Sequence, residues 1–95
     1  MNFARVLKKL RLQTGKSRYW LAQWTDLSET YLLRLESGER SQPSREVVQL
    51  LALALVADTD ALSLYDVGEL YEAAGFVPPT TRPGRRAIHV LLLSP

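Results

Sequence analysis

The spacing of apolar residues predicts five short helices over the first three quarters of the chain. In the first helix, apolar residues recur at i, i+3, i+4 and i+7 and so share one buried face: Phe3, Val6, Leu7 and Leu10. Asn2 can cap this helix and Gly15 can end it, because glycine readily adopts the left-handed conformation. The basic residues of this helix lie off the apolar face: Arg5, Lys8, Lys9 and Arg11.

The stretch from Ser17 to Gly38 contains two further helical patterns, separated by about three residues. Ser17 can cap the first of these helices, and Asp26 tolerates the tight turn that ends it. Leu27 is an apolar residue that can seat between the two helices, and Ser28 can cap the second of them. Two short helices joined by so tight a turn are a candidate helix-turn-helix.

The third helix, over about residues 28–36, has an apolar face and a mixed face. Its inward residues are predicted to be Tyr31, Leu32 and Leu35. Four residues remain on the opposite side, and we expect them to face outward: Glu29, Thr30, Leu33 and Arg34.

The remaining chain predicts two more helices, a linker and a strand. A fourth helix begins after Ser44, and its residues VVQLLALALV are apolar almost all round, so another segment or a second subunit must cover it. A fifth helix begins at Ser63 with a capping-box pattern. Its inner face is predicted to contain Leu64, Val67, Tyr71 and Ala74. Residues 77–86 are rich in proline and arginine and indicate an extended linker, and residues 87–95 contain the strand candidate AIHVLLL.

Composition favours a single soluble domain. The chain of 95 residues is 46% hydrophobic and 23% charged, and it contains one histidine and no cysteine, which excludes disulfides and cysteine-containing zinc sites. No apolar run approaches the roughly 20 residues that span a bilayer, so we expect a cytoplasmic protein without membrane contact. No nucleophile, metal-ligand cluster or cofactor loop stands out, and we expect no enzymatic activity, no metal and no cofactor.

Charge is distributed unevenly along the chain. Residues 1–45 carry nine Lys or Arg against four Asp or Glu, a net charge of +5, whereas residues 46–95 have a net charge of −3. Such an asymmetry is typical of a domain with a basic face that binds a polyanion. The alternative is that these basic residues, those of the first helix included, are only a solvated surface.

An ordered set of residues between positions 7 and 55 matches a known pattern, although no single member is specific: Leu7, Arg11, Leu21, Ala22, Ser28, Tyr31, Arg34, Leu35, Glu36, Gly38, Pro43, Ser44, Glu46, Leu51 and Ala52. This combination resembles the phage-repressor-like helix-turn-helix family, often called the Xre or Cro type. The resemblance implies an all-α fold: a five-helix, lambda-repressor-like DNA-binding domain over residues 1–76. A linker over residues 77–86 and a short C-terminal β-strand over residues 87–95 would follow it.

In that family the third helix lies in the major groove of DNA and the second crosses the backbone. The resemblance therefore implies four residues that contact bases: Glu29, Thr30, Leu33 and Arg34. The residues that match backbone-contacting positions are Ser17, Arg18, Ser37 and Arg40. It also implies a structural ion pair between Arg11 and Glu36. Asp26 stands where the family usually has glycine, so this residue must adopt a strained but tolerated backbone conformation.

Trp20 and Trp24 are one helical turn apart on the second helix and present a single aromatic patch. This patch either packs against the chain's own C-terminal strand or contacts a partner. A lone strand must also pair with another edge, most simply the same strand of a second subunit. We therefore expect a homodimer whose interface includes Trp20, Trp24, Ile88, Val90, Leu91 and Leu92.

Together these features support a sequence-specific regulator of transcription, most simply a repressor, that binds double-stranded DNA. The alternative hypothesis is an antitoxin-like or adaptor module that uses the same fold to bind another protein.

Overall fold

Five helices follow one another within residues 2–79, the part of the chain that the computed structural model describes. Their bounds are α1 (Phe3–Thr14), α2 (Arg18–Thr25), α3 (Glu29–Ser37), α4 (Arg45–Val56) and α5 (Leu64–Ala73). The predicted all-α, five-helix fold is therefore confirmed. The strand expected within residues 87–95 lies outside the described residues, as does most of the linker, so both stay predictions.

Every one of these helices begins at a polar residue whose side-chain oxygen accepts a hydrogen bond from a backbone N–H of the first turn. The caps are Asn2, Ser17, Ser28, Ser44 and Ser63, all as the sequence predicts. At α5 the Asp66 carboxylate also accepts from the Ser63 backbone N–H, which completes the expected capping box. A capping side chain thus marks the start of each of these helices.

The turn between α2 and α3 depends on Asp26, which adopts the left-handed conformation with φ of 63°. This conformation costs a residue other than glycine about 1–2 kcal/mol. The Thr25 hydroxyl donates to the Leu21 carbonyl at 2.7 Å and accepts from the Leu27 N–H at 3.2 Å, so it ties the turn to α2. Leu27 packs against the core between the two helices, as predicted.

The hydrophobic core lies between all five helices. It includes the predicted face of α1 and six almost completely buried leucines of the other helices: Leu21, Leu32, Leu35, Leu51, Leu55 and Leu70. α4 packs against α1, α2 and α5, so segments of the same chain cover most of its apolar surface, one of the two alternatives that the sequence left open. Leu50 and Leu53 on α4 are half-buried.

The basic residues of α1 lie off its apolar face, as predicted: Arg5, Lys8 and Lys9 are exposed, and Arg11 is buried beside α3. One prediction about a buried face needs correction. On α5, Leu70 is fully buried although the predicted inner face omits it. Two residues predicted for that face, Leu64 and Ala74, are only half-buried.

Among residues 2–79, no helix combines the length and the apolar character needed to cross a membrane.

Candidate nucleic-acid interface

The outer face of α3 is free of protein contacts that would bury it. All four predicted base-contacting residues are exposed there: Glu29, Thr30, Leu33 and Arg34. Leu33 is 49% exposed, while its neighbour Leu32 on the other side of the helix is almost completely buried. Because the inner face of α3 is held by the core, the outer face is presented on a rigid helix rather than on a loop.

Arg34 forms an ion pair at the outer face of α3. Its Nε lies 3.3 Å from Glu39 Oε2, and the two side chains are 47% and 67% exposed. An ion pair this open to water contributes little to stability and can be exchanged for another anion or for a base edge. Arg34 is therefore available to a ligand although it has a partner in the free protein.

The residues predicted to contact the DNA backbone lie at the ends of α2 and α3. Ser17 is exposed at the start of α2, where its hydroxyl accepts from the Trp20 N–H at 2.9 Å. Ser37 and Arg40 are exposed at the end of α3. The Arg40 N–H donates to the Arg34 carbonyl at 3.0 Å, so the loop after α3 folds back onto the helix. Ser37 and Arg40 therefore lie next to the outer face of α3, and Ser17 lies at the start of the preceding helix.

Glu36 connects three helices through one buried carboxylate. Arg11 on α1 donates to it twice, from Nε at 2.5 Å and from Nη2 at 2.9 Å, and the two side chains are only 9% and 2% exposed. The hydrogen bond to Glu36 raises the pKa of Arg11 above its ordinary value, so the guanidinium stays charged. The structural ion pair implied by the family resemblance is present.

Arg18 on α2 also interacts with this carboxylate. Its Nη1 lies 3.2 Å from Glu36 Oε1, and its side chain is 35% exposed. The sequence predicts Arg18 as a phosphate contact, but its pairing with Glu36 was not foreseen. The pairing holds the guanidinium beside the N-terminal end of α2 and leaves part of it open to solvent.

Lys16 has a structural role that the sequence analysis missed. Its ammonium donates to the carbonyls of Ala54, Leu55 and Ala57, at 2.7, 3.0 and 2.5 Å, and so caps the C-terminal end of α4. It also lies 4.5 Å from the centre of the Trp20 ring. Burial lowers the pKa of Lys16, and the nearby Asp58 charge acts in the opposite direction.

The aromatic residues of α2 form the single patch that the sequence predicts. The rings of Trp20 and Trp24 are stacked, with centroids 6.4 Å apart and an angle of 21° between their planes. Trp20 is half-buried against the core, whereas Trp24 is 44% exposed. Tyr19, on the same helix, is also exposed. The other predicted interface residues lie outside the described part of the chain: Ile88, Val90, Leu91 and Leu92.

Within residues 2–79, no group of His, Cys, Asp and Glu side chains is arranged to hold a metal ion.

Comparison with known proteins identifies the family. A protein-family model described as a helix-turn-helix domain matches residues 2–64 of the sequence. These residues include α1 to α4 and the loop that leads to α5. The searches of curated proteins and of solved structures gave no match. The matched region covers well over half of the chain and contains the whole exposed face of α3 together with its flanking ends. The chain therefore belongs to the helix-turn-helix domain family, consistent with DNA-binding proteins of the Xre or Cro type.

Proposed function

We propose that this protein is a sequence-specific DNA-binding regulator of transcription that represses by occupying its operator. The observation that carries the proposal is the exposed outer face of α3. The opposite face of this helix is buried in the core, and basic and hydroxyl side chains lie nearby. A helix of this kind fits the major groove, where base edges display a distinct pattern of donors, acceptors and methyl groups.

The chemistry of the four outward residues suggests what α3 reads. Arg34 can donate two hydrogen bonds to guanine, and Glu29 can accept from the amino group of cytosine. The Thr30 methyl and Leu33 can contact the methyl group of thymine. Glu29 also brings a negative charge close to DNA, which lowers affinity for every sequence except one that offers it a donor. We therefore expect Glu29 to increase selectivity more than affinity.

The flanking residues are proposed to bind phosphates. Ser17 and Arg18 stand at the N-terminal end of α2, where the helix dipole also favours an anion. Ser37 and Arg40 stand at the C-terminal end of α3, so both groups are proposed to contact the sugar-phosphate backbone beside the groove. Such contacts fix the position of the reading helix and carry no sequence information directly.

Comparing Arg34→Ala with Arg18→Ala tests these two roles. DNA sequences selected by the wild-type protein from a random pool supply the probe. Arg34→Ala should cost about 1–3 kcal/mol of binding free energy and relax specificity at one position. Arg18→Ala should weaken binding to all sequences alike and reduce the slope of log K against log salt by about 1. If Arg34→Ala left the selected sequence unchanged, α3 would not be the reading helix.

We also propose that the protein binds DNA as a homodimer, with two α3 helices about 34 Å apart. The aromatic patch of Trp20 and Trp24 supports the proposal that another chain covers this surface, since contiguous apolar patches on monomers are small. The C-terminal residues Ile88, Val90, Leu91 and Leu92 are proposed to complete the interface with Trp20 and Trp24. Deletion of the residues after Pro83 should convert the dimer to a monomer in a molar-mass measurement, and an unchanged dimer would refute this interface.

The same aromatic patch favours a second candidate function, an antitoxin-like or adaptor module that binds another protein. Both functions can coexist, because the patch on α2 and the outer face of α3 are different surfaces. A salt-dependent gel shift on random DNA separates them: a module that only binds protein would show no shift at low salt.

A further inference from the structure

The four basic residues of α1 lie in three different environments. Arg11 is buried against Glu36, and Lys9 pairs with Glu69 of α5 through a contact of 2.7 Å. Arg5 and Lys8 are exposed, and neither forms an ion pair with any residue in the range 2–79. The structure thus leaves two positive charges of α1 without a structural role.

Arg5 and Lys8 lie beside the end of the proposed reading helix. Both line an open groove between α1 and the C-terminal end of α3, together with Ser37. Lys8 precedes Arg11 by three residues, about 4.5 Å along the helix axis, and Arg11 reaches Glu36 next to Ser37. Arg5 is displaced by about the same distance again. The two charges therefore lie in the same groove as Ser37, one of the proposed phosphate contacts.

The acidic group closest to this groove does not neutralise it. Glu36 also lines the groove, but its carboxylate is almost completely buried and is bound by Arg11 and Arg18. The remaining groove residues carry no negative charge: Asn2, Ala4, Lys9 and Leu12. The exposed charge at the groove is consequently positive and fits a polyanion.

We propose that Arg5 and Lys8 form a second phosphate-contacting surface, which binds the DNA backbone beyond the segment that α3 reads. This inference rests on the proposed function, and it extends the protein's footprint to α1. Each DNA strand carries one phosphate per 3.4 Å of helix axis, so two basic side chains about 4.5 Å apart along α1 can contact neighbouring phosphates. Contacts of this type raise affinity for every sequence and fix the orientation of α1 on the duplex.

The test compares Lys8→Ala and Arg5→Ala with Lys9→Ala. Lys9 is the matched control because it is adjacent to Lys8, has the same side chain and lines the same groove, but its ammonium is paired with Glu69 of α5. Affinity is measured against salt concentration on the selected DNA site with long flanks. Lys8→Ala and Arg5→Ala should each reduce the slope of log K against log salt by about 0.9 and weaken binding at 0.1 M salt about 5- to 10-fold. Lys9→Ala should change the slope by less than half as much.

A second arm locates the contact on the DNA. Shortening the flanks toward the selected site should weaken binding of the wild-type protein and leave the Arg5→Ala, Lys8→Ala double variant unaffected. Equal slopes for Lys8→Ala and Lys9→Ala would overturn the inference, because they would indicate a general effect of net charge. An unchanged slope in Lys8→Ala would also overturn it, whereas wild-type protein that binds no DNA would refute the proposed function itself.

Discussion

Two arginine–glutamate pairs on opposite sides of α3 have the same chemistry and different surroundings. Arg11 and Glu36 are joined by two hydrogen bonds in the interior, where the carboxylate is 2% exposed. Arg34 and Glu39 meet through one contact of 3.3 Å in water. The buried pair is a permanent part of the fold, because separating the two side chains would leave a buried charge with neither its partner nor water to solvate it. The exposed pair can open at little cost, because water solvates both ions.

The same division applies to the other basic residues near α3. Arg11 and Lys16 are bound by groups of the protein itself, a carboxylate and three carbonyls. Arg34 and Arg40 are exposed on the side proposed to face DNA. Arg18 belongs to both groups, because it pairs with the buried Glu36 carboxylate and is also partly exposed. The sequence contains nine basic residues up to position 45, but burial keeps some of that charge from contact with a ligand. The positive charge that reaches the surface is therefore smaller than the sequence suggests.

The largest expected effect comes from breaking the buried pair. Glu36→Ala leaves the Arg11 guanidinium buried without its carboxylate and should reduce the free energy of unfolding by about 3–5 kcal/mol. Urea denaturation followed by circular dichroism measures this loss. Glu39→Ala is the matched control, since it removes the carboxylate of the exposed pair and should change stability by no more than about 1 kcal/mol.

Similar losses in Glu36→Ala and Glu39→Ala would contradict the comparison between the two pairs. A small loss in both variants would mean that Arg11 is solvated when Glu36 is absent. A large loss in both would mean that the loop after α3 depends on Glu39 for its structure.

Removal of the Lys16 ammonium should have an intermediate effect. Lys16→Met keeps an unbranched side chain beside Trp20 but leaves the last carbonyls of α4 without a charged donor, so stability should fall by about 1–3 kcal/mol. Lys8→Met is the matched control, because Lys8 is exposed on α1 and has no ion-pair partner in the described part of the chain. The melting temperature measured by circular dichroism should fall for Lys16→Met and stay within error for Lys8→Met. Equal melting temperatures for the two variants would show that water replaces the ammonium as the cap of α4.

Local sequence signals are sufficient to predict the order of the helices and the residues at which they start. A serine or asparagine before an apolar pattern determines each start, because the side chain satisfies backbone N–H groups only a few residues away. The outward position of Glu29 and Arg34 also followed from helical periodicity within one short segment. These features depend on residues within about one or two turns of one another, so the order of residues along the chain contains the required information.

The sequence could not reveal contacts that depend on how the helices pack. Lys16 reaches carbonyls 38 to 41 residues further along the chain, and a lysine after glycine looks like an ordinary turn residue. Arg18 and Glu36 are 18 residues apart, and the carboxylate is shared because α3 packs against both α1 and α2. Family resemblance supplied the pair of Arg11 with Glu36, because periodicity alone shows only that Arg11 lies off the apolar face of α1. Long-range polar contacts therefore needed either the resemblance or the structure.

The smallest expected effect comes from opening the exposed pair. Glu39→Gln removes the partner that Arg34 must leave when it binds guanine, and it also removes a negative charge near the proposed DNA surface. Because an exposed ion pair contributes about 0.2–1 kcal/mol, affinity for the selected DNA site should rise by no more than about 5-fold, and the gain should shrink as salt increases. Glu72→Gln on α5 makes the same change in net charge at an exposed position and should leave affinity nearly unchanged. A gain of equal size in both variants would mean that the pairing of Arg34 with Glu39 does not compete with DNA, and weaker binding by Glu39→Gln would mean that Glu39 positions Arg34 for its base.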